Sequence, residues 1–179
     1  MSARNLAKSL TDSELAKLCP GSPTTLYTEL EGRDLSQCLG PTGCGFVLFV
    51  EENEPDNTVG HWLAMLRRGT TVEMFDPYGA RGSGDPWFLD HTFVPPSSLR
   101  AMHESTPIMD EWIRTNGYTP VSNPYRFQKM KRGINTCGRH CAVRIMNSQF
   151  NIHDYNAYIQ HYCRMHSCTP DELVTTWTD

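Results

Sequence analysis

From Gly45 to Val50 the chain is apolar, β-branched and aromatic without a polar break, which predicts a buried strand. Two more strand-like runs follow, His61 to Arg68 and Thr70 to Asp76. They flank Arg68-Gly69, and a residue followed by glycine suits a tight hairpin loop. From Cys137 onward the period becomes helical, with Cys141, Ile145 and Met146 sharing a face. Asp154 caps a predicted helix carrying Tyr155, Tyr158, Ile159 and Tyr162. Thr169-Pro170-Asp171-Glu172 opens a last short helix with both a capping box and a proline at its first position. Near the other end, Thr11-Asp12-Ser13-Glu14 forms a capping box ahead of Leu15 and Leu18, and that helix ends before Pro20-Gly21. Thr106-Pro107 and Gly117 bracket another helix around Met109, Trp112 and Ile113. Residues 20–44 and 79–98 read as loop, 51–57 as a polar turn, and Tyr118 to Phe127 as an extended stretch interrupted by Pro120 and Pro124. The predicted fold class is α+β: a small, mainly antiparallel sheet flanked by helices, with a helical last third.

Composition narrows the picture without changing it. The 179 residues suit one domain, 1–179, with one main core. Apolar residues make up 39% and charged residues 20%, the balance of a soluble globular chain. No apolar run approaches the roughly 18 residues of a membrane span, and the first residues lack the apolar stretch of a secretory signal. A net charge of −4 gives no general argument for nucleic-acid binding, and the local run Arg126, Lys129, Lys131 and Arg132 reads as a solvated loop. Seven cysteines, an odd number, without an export signal predict reduced thiols in an intracellular compartment. One of them is then a candidate reactive group.

The hairpin supplies the first chemistry. With Arg68-Gly69 as a two-residue loop, Leu63 opposes Met74 and His61 opposes Asp76. Directly opposed Cβ atoms lie about 4.5–5.5 Å apart, within reach of an imidazole–carboxylate hydrogen bond. Such a bond fixes the tautomer and turns the other ring nitrogen toward a nucleophile. The blander reading makes both residues ordinary surface groups at the open end of a hairpin. Gly60 and Trp62 hem the histidine, however, and Pro77-Tyr78-Gly79 ends the second strand abruptly, so both residues fall where sites are commonly built.

Asn135-Thr136-Cys137-Gly138-Arg139-His140-Cys141 supplies the second. Gly138 allows backbone to approach the thiol. The helix that follows presents unpaired N–H groups and a positive dipole end to Cys137, and both favour thiolate. Cys141, one turn on, is expected to be a buried structural thiol. Gln128 is a candidate side-chain donor to an oxyanion hole, alongside the Cys137 backbone N–H.

Taken together, Gly60-His61-Trp62, Phe75-Asp76-Pro77-Tyr78-Gly79 and Cys137-Gly138-x-x-Cys141 resemble the pattern of adenovirus-type (adenain-like) maturation cysteine proteases. Related forms occur in virophages, Maverick/Polinton elements and large DNA viruses, and more distantly among SUMO-specific proteases. The likeness spans roughly residues 10 to 150 in order and spacing. It implies a papain-like fold of the adenain/SUMO-protease type, with His61 as general base, Asp76 as its orienting acid and Cys137 as nucleophile. It makes Trp62, Gly60 and Gly138 candidate substrate-contacting residues. The family's oxyanion glutamine usually lies six or seven residues before the cysteine. This chain has Lys131 and Met130 there, and Gln128 lies nine before. The implied activity is cleavage of capsid or scaffold precursors at glycine-containing sites by a monomer in the virion, the host-cell cytoplasm or the viral factory. A peptide or DNA activator occurs in adenoviral relatives. No metal or other cofactor is expected.

Three rival readings follow from the same residues. The first is a deubiquitinase or SUMO-specific protease acting on a host modifier. The second is a zinc-binding module using Cys137, His140, Cys141, His161, Cys163, His166 and Cys168, although that spacing lacks a Cys-x-x-Cys pair. The third is a non-enzymatic, capsid-associated protein.

Overall fold

The computed structural model describes residues 3–50, 60–79 and 108–179. The predicted 51–57 turn, all but the first residue of the 79–98 loop and the Thr106-Pro107 helix start lie outside them. The elements run α1 (Ala3–Leu6), α2 (Asp12–Leu18), β1 (Thr24–Leu26), a 3₁₀ turn (Tyr27–Gly32), α3 (Leu35–Leu39), β2 (Cys44–Val50), β3 (Gly60–Arg68) and β4 (Thr71–Phe75). Then come a helix over residues 108–115 (α4), β5 (Thr119–Ser122), α5 (Cys137–Met146), α6 (Ile152–His166) and α7 (Pro170–Thr178).

The fold is α+β, and the five strands lie in the order β1-β2-β3-β4-β5. The sheet is mixed rather than mainly antiparallel. β2–β3 and β3–β4 are antiparallel, but β1 joins β2 and β5 joins β4 in parallel. One part of the difference arises in residues 20–44, whose turn-rich composition hides β1, the 3₁₀ turn and α3; the other is β5, which lies in the predicted extended stretch but pairs in parallel with β4. β1 is only three residues long, too short for a period to register.

β3 is the central strand, and Trp62 to Leu66 are buried without a break. On one face Trp62, Ala64 and Leu66 pack with Phe46, Phe75 and the helices α2, α5, α6 and α7. On the other, Leu63 and Met65 join Val47, Val72, Met74, α3 and, from α4, Met109 and Ile113. Helices on both faces explain why β3 reads as a continuous apolar run rather than an alternating one.

Several predicted boundaries coincide with physical caps. Thr11 and Thr169 each form a capping box, and Pro170 sits in the first turn of α7. α6 starts earlier than predicted: Asn151 is its N-cap, accepting from the His153 and Asp154 backbone N–H groups, so Asp154 lies inside the first turn. α5 is buried from Cys137 to Ile145 because it is enclosed by β3, α2 and α7. Only Met146 escapes, 43% exposed, and it does not share the buried face with Cys141.

A buried ion pair locks α5 to the sheet. Arg144 Nε donates to Glu73 Oε1 at 2.9 Å and Arg144 Nη2 to Oε2 at 2.8 Å. The Arg144 guanidinium also lies 4.8 Å from the Tyr155 ring centroid. A bidentate pair of this kind fixes the rotation of the helix as well as its distance from β4.

Candidate active site

The β3–β4 hairpin brings the first two candidates together, though not by the predicted register. Arg68 pairs with Thr71 and Ala64 with Phe75, so the loop is Gly69-Thr70 and not Arg68-Gly69. Gly69 has φ +56°, and a two-residue loop accommodates such a residue at its first central position. Extending this register places Tyr78, not Asp76, opposite His61. Asp76 becomes the diagonal neighbour, a longer reach that its side chain still closes. His61 Nε2 lies 2.9 Å from Asp76 Oδ1, and each side chain is 11% exposed. Tyr78 takes the directly opposed place as a lid on the imidazole, with ring centroids 4.7 Å apart and planes 9° from parallel.

The turn that carries Asp76 is held from several sides. The Tyr78 backbone N–H donates to Asp76 Oδ1 at 3.0 Å, and the Gly79 N–H to the Asp76 carbonyl at 2.9 Å. Gly79 has φ +93°, and a Cβ there would stand 3.0 Å from the Tyr125 carbonyl oxygen, so only glycine closes the turn without strain. Asn123, 1% exposed, donates from Nδ2 to the Asp76 carbonyl at 2.7 Å. The carboxylate therefore meets the imidazole in a fixed orientation.

Cys137 is the first residue of α5, with Thr136 as N-cap. His61 and the backbone N–H groups of Trp62 and Gly138 are the groups around its sulfur that favour the thiolate. Asp76 occupies Nε2 of His61, so Nδ1 is the ring nitrogen left for a nucleophile. Burial is the largest single influence on Cys137 and opposes ionisation, but these neighbours and the imidazolium charge together outweigh it and lower its pKa. Burial likewise opposes the charge on His61, yet the Asp76 charge and hydrogen bond, with Cys137, push its pKa up to about 9. The two groups favour the thiolate–imidazolium pair.

The other shifted thiols go the opposite way. Burial raises Cys38 and Cys44, takes Cys19 to about 12 and Cys163 to about 11, and raises Cys141 well above the ordinary range. Cys141 Sγ donates to the Trp62 carbonyl at 3.3 Å. This is the geometry of a structural thiol, one turn below Cys137. Among the described residues no group of three or more His, Cys, Asp and Glu is placed to hold a metal ion.

Gln128 is 1% exposed and reaches the site through Tyr78. Its Nε2 donates to the Tyr78 hydroxyl and to the Ile134 carbonyl, both at 3.3 Å, while Oε1 is buried without a partner. Its backbone N–H donates to the Pro77 carbonyl at 2.9 Å, so residue 128 is tied to the Asp76 turn twice. Trp62 is 5% exposed, its indole turned into the core and donating to the Leu10 carbonyl at 3.1 Å. Gly138 is where the indole and helix meet: a Cβ there would lie 3.1 Å from Trp62 Cδ1 and 3.3 Å from Leu10 Cβ. Gly60 faces Leu48, whose Cδ1 would lie 2.9 Å from an added Cβ. The two glycines thus serve close packing around His61 and Cys137.

The sequence reading missed the clasp beneath the helix start. Asp171, 3% exposed, accepts from Thr136 Oγ1 at 2.5 Å and His140 Nε2 at 3.0 Å on one oxygen, and from the Lys129 backbone N–H at 3.1 Å on the other. One carboxylate of α7 therefore fixes the residue before Cys137 and the residue after Gln128. In the sequence Asp171 reads only as part of the motif that opens α7. The N-terminal segment joins in as Asn135 donates to the carbonyls of Leu6 and Ala7 at 2.7 and 2.9 Å.

A buried, low-pKa thiol paired with an oriented imidazole is the arrangement from which a cysteine attacks a carbonyl. No protein-family model matches the chain. An uncharacterized protein, V9, of Sputnik virophage is 27% identical over 147 residues, covering 80% of this chain and 78% of that one. The central domain of the uncharacterized Lpg1148 protein from Legionella pneumophila aligns over 78% of this chain and 76% of its own with a TM-score of 0.39 and 11% identity.

Proposed function

We propose that the chain is a cysteine endopeptidase of the adenain-like type, with a papain-like arrangement of sheet and helix. Cys137 is the nucleophile, His61 the general base and acid, and Asp76 the group that orients it. The observation that carries this reading is the chain of contacts from Asp76 through His61 to a thiol whose pKa is lowered despite full burial. The Cys137 thiolate attacks the scissile carbonyl carbon to form a tetrahedral oxyanion. Imidazolium His61 then protonates the leaving amine as the C–N bond breaks, giving the acyl-enzyme. Neutral His61 deprotonates water, which attacks the thioester and returns thiol and acid. The backbone N–H of Cys137 is the oxyanion donor in this reading, and the Gln128 amide, whose two protons go to the Tyr78 hydroxyl and the Ile134 carbonyl, would have to release one of them to join it.

The virophage relative supports a viral setting. With the sequence resemblance, it favours capsid or scaffold precursors cut at glycine-containing sites during particle maturation. The enzyme would then work in the virion and in the host-cell cytoplasm or viral factory. No helix among the described residues is long and apolar enough to cross a membrane.

Purified protein incubated with the candidate capsid precursors, with and without iodoacetamide, tests the proposal, with mass spectrometry locating new termini. Iodoacetamide-sensitive cuts beside glycine support it. Labelling of Cys137 by ubiquitin-aldehyde or SUMO-vinylsulfone, with precursors left intact, moves the substrate to a host modifier. Cleavage that survives Cys137→Ala refutes the assignment of nucleophile.

A further inference from the structure

The end of α6 brings together two thiols that the protease reading does not use. α6 stops at Ser167, with φ 50° and ψ 43°, which among the described residues is the one non-glycine residue with positive φ. Two nested backbone bonds close the turn around it. The Ser167 N–H donates to the Arg164 carbonyl at 3.3 Å, and the Cys168 N–H to the Cys163 carbonyl at 3.0 Å. This is the Schellman ending, which sets the side chain after the left-handed residue against the one five positions earlier. Apolar side chains commonly fill those two places, but here both are cysteine. Both are free thiols, Cys163 7% exposed and Cys168 partly exposed. Burial first, and then the neighbouring Cys168 thiol, raise Cys163 to about 11, in keeping with facing sulfurs.

Beyond the turn Thr169 caps α7, and Trp177 folds back on Tyr158 and Tyr162 of α6 with ring centroids 5.9 and 5.4 Å apart. The cysteines thus lie at the base of a helical hairpin. Shortly after them comes Asp171, whose carboxylate holds Thr136 and His140 beneath the start of α5.

We propose that Cys163 and Cys168 form a reversible redox site, closed to a disulfide by a low-molecular-weight disulfide of the glutathione class, and that the bond locks the α6–α7 junction. Cys168, the accessible member, attacks as thiolate on one sulfur of glutathione disulfide and expels a glutathione thiolate. The Cys163 thiolate then attacks the Cys168 sulfur of the mixed disulfide and expels the second. Two protein thiols are oxidised, one glutathione disulfide is reduced to two glutathiones, and these take up the two protons. The turn holds the pair together before oxidation, so closure proceeds at a high effective concentration. The site is separate from the protease reading and is tested without it.

The full chain is equilibrated with glutathione disulfide and glutathione, quenched with N-ethylmaleimide and digested with trypsin. Cleavage after Arg144 and Arg164 places the two cysteines on separate peptides, 145–164 and 165–179, so the bond appears as a cross-linked pair that reduction splits. The folded protein should form that pair with an equilibrium constant at least about tenfold above its value in denaturing urea, where the turn no longer holds the thiols. Cys163→Ser and Cys168→Ser should each abolish it. Melting is compared in Cys137→Ala protein, so that modification of the reactive thiol contributes nothing. The oxidised form should melt about 4 °C above the reduced form, and adding Cys163→Ser should remove the difference. A glutathione that stays on Cys168, a bond from either cysteine to any other, or a constant no larger than in urea overturns the redox site. An unmoved melting midpoint in fully linked protein overturns the lock.

Discussion

Replacing Asp76 by Asn keeps the shape of the side chain and removes its charge. The amide oxygen can still accept from His61 Nε2 and from the Tyr78 N–H, so the turn should survive. What goes is the charge that offsets the burial of His61. In the wild type that imidazole is pushed up to about 9. Without Asp76, burial dominates and the value should fall below the ordinary 6.5 or so, a drop of more than about 2 units. At 1.36 kcal/mol per unit this is roughly 3 kcal/mol of differential stabilisation of the imidazolium. The sign follows from linkage. A histidine raised in the folded state contributes stability that is fully present below pH 6.5 or so and is lost as pH rises through about 9. Wild-type unfolding free energy should therefore fall across that window, and the fall should vanish in Asp76→Asn. The paired assay is an NMR titration of the histidine Cε1–H resonances, with His61 assigned by its loss in His61→Ala. A His61 midpoint in Asp76→Asn that stays near 9, or an unchanged stability slope, would refute the assignment of the carboxylate as the source of the shift.

Two further perturbations probe the supports of the site. Glu73→Ala should cost about 3–5 kcal/mol in urea unfolding by stranding the Arg144 guanidinium, whereas the double change Glu73→Leu with Arg144→Met should recover most of it, because a buried ion pair is replaceable by apolar packing of similar volume. Asp171→Ala strands two buried donors, Thr136 Oγ1 and His140 Nε2, at roughly 1 kcal/mol or more each, besides the partly buried Lys129 N–H, and should lower stability by at least about 2 kcal/mol; a cost under 1 kcal/mol by the same unfolding measurement would show that the clasp does not hold the start of α5.

Much of this arrangement was legible in the chain, and the exceptions have physical causes. Capping boxes at Thr11 and Thr169 and the helix start at Cys137 are local, so short-range chemistry reveals them. The sequence places the hairpin loop one residue early, which shifts every cross-strand partner by two, and the His61–Asp76 contact still forms because the diagonal reach substitutes for the direct one. The mixed sheet was not legible, since a three-residue β1 carries no period and parallel pairing is a matter of long-range topology. Asp171 was hidden for a related reason. An acidic residue in the first turn of a helix already has a sufficient local explanation, and only packing against α5 shows that its carboxylate faces inward. Met146 fits a helical stripe by spacing but lies at the end of α5, beyond the layer that buries the rest.

The most direct measurement is competitive alkylation of all seven cysteines with limiting iodoacetamide at pH 6.5, read by peptide mapping in the wild type, His61→Ala and Cys141→Ala. An ordinary thiol with a pKa of about 8.5 is about 1% ionised at that pH. Cys137 should be modified at least about tenfold faster than Cys168, the partly exposed cysteine, and its lead should survive Cys141→Ala and disappear in His61→Ala. A Cys137 that reacts no faster than Cys168, or whose rate is indifferent to the loss of His61, would contradict the thiolate–imidazolium pair.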